Sequence, residues 1–134
     1  MGNEDRSKHG SPYDTVASSA FRFLIEIVAW VAGPWAVADL TGSNWLAIPA
    51  LVVLVGLPAV FNAPGDKNTE GIVIPGPLRI VIEMFLAAVA VAASAIVWPA
   101  WGSAAVALIA AAMLVTGRAR YRWLASGAPA VDLT

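Results

Sequence analysis

The feature that most constrains this chain is a set of four apolar stretches, residues 17–38, 45–61, 77–97 and 103–117, divided by short polar or proline- and glycine-bearing connections. A bilayer's hydrocarbon core is about 30 Å thick, and a helix rising about 1.5 Å per residue needs about 20 residues to cross it. Stretches of this spacing predict an all-α, polytopic membrane protein with four transmembrane helices. Composition agrees: 59% of the 134 residues are hydrophobic and 13% are charged, against about 45–50% and about 25% in soluble domains. The expected organisation is a mobile leader over residues 1–15, a membrane domain over 16–124 and a tail over 125–134. The leader is too polar to bury apolar area that would offset the entropy of ordering it. The first span holds Arg22 and Glu26 within it, unlike the short clean core of a signal peptide, and reads as retained.

Asp39-Leu40-Thr41-Gly42-Ser43-Asn44 and Trp98-Pro99-Ala100-Trp101-Gly102 are tight reversals rich in turn formers. The spans therefore pair as two helical hairpins, joined by the larger loop over residues 62–76. Pro49 and Pro58 predict a second span that is short or kinked. Pro77 stands near the first helical position of the third, where its missing N–H costs nothing.

Lys and Arg set orientation, because they resist translocation in short loops flanking spans. Arg6, Lys8, Arg22, Lys67, Arg79, Arg118, Arg120 and Arg122 are all eight of them, and each falls on the side shared by both chain ends and the middle loop. That side is expected to be cytoplasmic, giving an N-in, C-in protein of the plasma membrane. Trp35, Trp45, Trp98 and Trp101 then gather at the outer interface and Trp123 at the inner one, as amphipathic anchors. Arg118, Arg120 and Arg122 are expected to act as a topology signal or to face lipid headgroups.

Phe21-Arg22-Phe23-Leu24-Ile25-Glu26-Ile27 and Leu78-Arg79-Ile80-Val81-Ile82-Glu83-Met84 share one pattern, an Arg followed four residues later by Glu in an apolar frame. Each copy opens a hairpin, which predicts a duplicated hairpin related by a pseudo-twofold axis along the membrane normal. Positions i and i+4 share a helix face, so each Arg can reach its own Glu. Arg at the rim can snorkel toward water while Glu sits one turn deeper. Two readings of Arg22, Glu26, Arg79 and Glu83 stand side by side. They form ion bridges that fix helix packing, within each helix or exchanged between hairpins. Alternatively, Glu26 and Glu83 face one another in a polar pocket for a proton, a cation or a lipid headgroup.

The chain has no cysteine, which removes disulfides and thiol chemistry. Its one histidine, His9, lies in the leader. With no ligand cluster, phosphate-binding glycine loop or nucleophile motif, neither a metal nor a cofactor is expected, and the chain does not read as an enzyme. A net charge of −1 gives no hint of nucleic acid. Alanine-rich faces in the third and fourth spans allow close helix approach.

The motif Phe21-Arg22-Phe23-Leu24-Ile25-Glu26, with Phe61-Asn62-Ala63-Pro64 and Pro77-Leu78-Arg79 running to Glu83, resembles the YrdB-type family of small bacterial membrane proteins of unknown function. The resemblance covers most of residues 17–120. Phe61-Asn62 departs from it, standing where that family is richer in tryptophan and glycine. It implies the four-span topology and a bacterial plasma membrane, and brings no activity. Minimal loops and the lack of a catalytic cluster point to an accessory subunit docking on a larger membrane complex. The alanine- and valine-rich composition fits a high-GC actinobacterial source, where the permease of an envelope lipid importer of the Mce type is the preferred host. The alternative is an oligomeric proton-coupled carrier working through a Glu26/Glu83 pocket.

Overall fold

The computed structural model describes residues 13–64 and 71–129. Most of the leader, with Arg6, Lys8 and His9, lies outside them, as does Lys67 in the middle loop. The described residues are helical almost throughout: α1 Val16–Thr41, a 3-10 turn Asn44–Leu46, α2 Ala47–Val60, α3 Gly76–Val97, α4 Ala100–Thr116 and α5 Arg118–Ala125. α1 starts where Thr15 accepts from the Ser18 N–H at 3.0 Å, which satisfies one of the donors a helix start leaves open. It ends at Gly42, whose φ of 71° is the left-handed conformation a helix terminus favours in glycine.

α1 and α3, of 26 and 22 residues, are long and apolar enough to cross a membrane. α4 and α5 together form a third candidate, broken by a bend of 63°. α2 has 14 residues, which at about 1.5 Å each falls short of the hydrocarbon thickness unless the preceding 3-10 turn is added. The spans expected over 17–38 and 77–97 thus match α1 and α3 closely. Those over 45–61 and 103–117 correspond to shorter helices.

α1 is the central element and packs against α2, α3 and α4, while α3 packs against α1, α4 and α5. Ile25 and Ala29 from α1, Leu54 from α2, Ile82, Leu86 and Ala90 from α3, and Val106 and Met113 from α4 form the main core. The hairpins are not interchangeable, because α4 lies along α1 whereas α2 meets α3 only slightly. A second difference is the middle connection, where Phe61–Asn62 and Ile72–Val73 pair as two short parallel strands. This pairing draws the end of α2 toward the start of α3.

Pro34 lies inside α1 and Pro58 inside α2. A proline has no N–H to give the carbonyl four residues back. For Pro58 that carbonyl belongs to Leu54, which is buried. Trp30 of α1 donates its indole Nε1–H to it at 2.9 Å. The indole replaces the missing helix bond and ties α2 to α1. Trp30→Phe should therefore lower stability by about 1–3 kcal/mol, the cost of a buried acceptor left unsatisfied. In a Pro58→Ala background, where residue 58 regains its N–H, thermal unfolding in detergent should show that loss shrink.

Candidate functional site

The site is built on Glu83, in the second turn of α3. Arg79, Glu83 and Arg120 are 0%, 2% and 1% exposed, and a buried carboxylate persists in ionised form only when charge and hydrogen bonds replace its water. Here they do so on both oxygens. Arg120 of α5 donates from Nη1 to Oε1 at 2.9 Å and from Nη2 to Oε2 at 2.7 Å, a bidentate pair. Arg79, one turn before on the same helix, donates from Nε to Oε2 at 3.1 Å. Tyr121 donates its hydroxyl to Oε1 at 3.2 Å. Arg22 of α1 brings its Nε to 4.0 Å from Oε1, an ionic contact without a hydrogen bond.

The partners also have second tasks. Arg79 donates from Nη1 to the carbonyls of Pro58 at 3.1 Å and Phe61 at 2.8 Å. A cation at the end of α2 satisfies acceptors that the terminus leaves open and complements the helix dipole. Arg22 turns toward the chain start, where its Nη2 meets Asp14 Oδ2 at 2.6 Å and its Nη1 meets Oδ1 at 3.3 Å. Arg120 also lies 5.7 Å from the Tyr121 ring centre.

α5 is held in place by this network and by packing. Trp123 and Leu124 are buried with Ala63 and Ala128, and the Trp123 indole donates to the Pro129 carbonyl at 2.9 Å. Gly76, the first residue of α3, sits so close to the Leu124 carbonyl that a Cβ there would collide with it. Only glycine permits that approach.

Of the expected ion bridges, Arg79–Glu83 forms within its helix, and Arg22 reaches across to Glu83 rather than resting on the local pairing alone. Glu26 is half-buried and shares a crevice with Arg22, Ile25, Glu83, Leu86 and Met113 that is too narrow for water. The carboxylates thus line one crevice without enclosing an open pocket. Arg120 corrects the headgroup expectation: it is buried and paired with Glu83, while Arg118 and Arg122 are exposed. Trp123 corrects the anchor expectation, since at 7% exposure its ring packs inside the protein. Trp35, Trp45 and Trp101 are exposed as anchors require, and Trp98 packs partly against the core.

The pairing of Arg120 with Glu83, and any part for Tyr121 and Asp14, escaped the sequence reading. A signal for Arg120 was available: Arg120, Trp123 and Leu124 stand at i, i+3 and i+4, which places this arginine on the apolar face of its helix. Among the described residues no three His, Cys, Asp or Glu side chains come together as a metal set. No protein-family model matches the chain, and no curated protein or solved structure matches it.

Glu83→Gln would leave buried guanidinium groups without their counter-charge. The expected loss is about 3–5 kcal/mol, the range for breaking a buried ion pair from one side. Glu26→Gln, at a half-buried position, should cost far less. Thermal unfolding of both variants in one detergent checks the order.

Proposed function

We propose that this chain is a small four-span accessory subunit of a bacterial plasma membrane, docking laterally on a larger membrane complex and stabilising or regulating it. The observation that carries this reading is the saturation of Glu83. Both of its oxygens are engaged by groups of the same chain, and the neighbouring crevice has no room for water. A carboxylate locked in this way is suited to holding helices in register. A carrier needs a carboxylate that changes partners as substrate or protons pass, so the geometry speaks against the Glu26/Glu83 carrier.

What remains available is the outer surface. Ile48, Val52 and Val53 of α2 and Leu108 and Val115 of α4 are exposed apolar side chains, suited to lipid or to another membrane helix. In this reading α2, extended by its 3-10 turn, and α4 are the second and fourth spans, with α5 as the interfacial end of the fourth. Arg22, Arg79 and Arg120 converge on Glu83, with Arg118 and Arg122 on the same short helix as Arg120. Their common end is the cytoplasmic one under the positive-inside rule. A YrdB-type relationship fits that topology, and an envelope lipid importer of the Mce type is the preferred host.

Purification from native membranes in a gentle detergent should bring a permease and its ATPase along with the chain. A clean monomer by mass spectrometry would contradict the docking role. Orientation is tested on the same cysteine-free background. A cysteine introduced at Asp66 should resist an impermeant thiol reagent in intact cells and react after permeabilisation; labelling from outside would invert the topology.

A further inference from the structure

We propose that the outward face of α5 binds the headgroups of anionic phospholipids, with Arg118 and Arg122 as the phosphate-binding pair. The rotation of α5 about its own axis is fixed from the opposite side. Arg120 is held bidentately by Glu83, and Trp123 and Leu124 are buried. Four residues apart, Arg118 and Arg122 share one helix face, and both are exposed. Neither guanidinium has an acidic partner among the described residues. The fold thus places one arginine of the segment inside and presents the other two outward.

The position of that face identifies the partner. α5 turns 63° away from α4 and lies against Gly76, where α3 begins. A helix turned aside at the rim of a membrane-spanning bundle lies at headgroup depth. Leu114 and Val115, in the last turn of α4, are exposed one turn before Arg118. Apolar side chains suited to acyl tails therefore run directly into two planar guanidinium groups, whose paired N–H donors match phosphate oxygens. A headgroup that keeps net negative charge satisfies both arginines. A zwitterionic one brings its own cation and offsets them.

Each basic side chain near an anionic membrane surface strengthens association about fivefold, so two such groups give a preference of up to about twenty-five-fold, and about tenfold once salt screens them. The test is a native mass-spectrometric titration of the full chain in detergent with phosphatidylglycerol and with phosphatidylcholine of the same acyl chains. The intact protein should hold phosphatidylglycerol about tenfold more tightly. R118Q/R122Q should lose that preference with thermal unfolding unchanged, and R118K/R122K should keep most of it. Equal binding of the two lipids by the intact protein, or full preference in R118Q/R122Q, would overturn the proposal. So would failure of the glutamine variant to fold, because it would show that the pair serves the fold. None of these outcomes depends on whether a host complex co-purifies.

Discussion

Everything at the arginine-bearing end of this bundle depends on one buried carboxylate. Glu83 lies on an apolar helix, away from water, where an isolated negative charge would cost far more than a small protein's total stability. It is accommodated because Arg79, Arg120 and Tyr121 bond its oxygens while Arg22 adds charge from α1. These groups come from three separate elements, so the electrostatic requirement of one residue becomes a geometric requirement on α1, α3 and α5. Through the bonds from Arg79 to the carbonyls of Pro58 and Phe61, the end of α2 joins the same network. Apolar packing alone specifies helix contact loosely in a membrane, since lipid tails are as apolar as the side chains they replace. A directional ionic hub supplies register.

A similar logic governs the interruptions in the helices. Pro58 removes a backbone donor, and the Trp30 indole supplies one from a neighbouring helix. In each case a local defect of one helix becomes a contact between two. The consequence is that the Glu83 carboxylate and the Leu54 carbonyl are both satisfied from neighbouring helices, while Arg118 and Arg122 stay exposed.

Much of this was legible in the sequence. Length and apolar content located α1 and α3 to within a few residues, and the gathering of arginines on one side anticipated their convergence at one end. The repeated Arg/Glu spacing correctly marked Arg79 and Glu83 as a pair on one helix face. What could not be read is the non-local part. Arg120 lies 37 positions from Glu83, and local spacing is silent about which distant element folds back to meet a charge. Arg118, Arg120 and Arg122 look alike as a run of basic residues, yet burial separates the middle one from its neighbours. The two hairpins share a motif without sharing surroundings: α5 follows the second and brings Arg120 to Glu83. Likewise, the proline at position 58 announces that the Leu54 carbonyl needs a donor, but not that Trp30 provides it.

The central claim is that Glu83 and Arg120 are directly coupled and that this coupling binds α5 to α3. A double-mutant cycle measures it: the unfolding free energies in detergent of the intact protein, E83Q, R120Q and the combined variant. A bidentate buried pair should give a coupling of about 2–3 kcal/mol, at the upper end of the range for residues in contact. Simple additivity of the two single substitutions would contradict the claim.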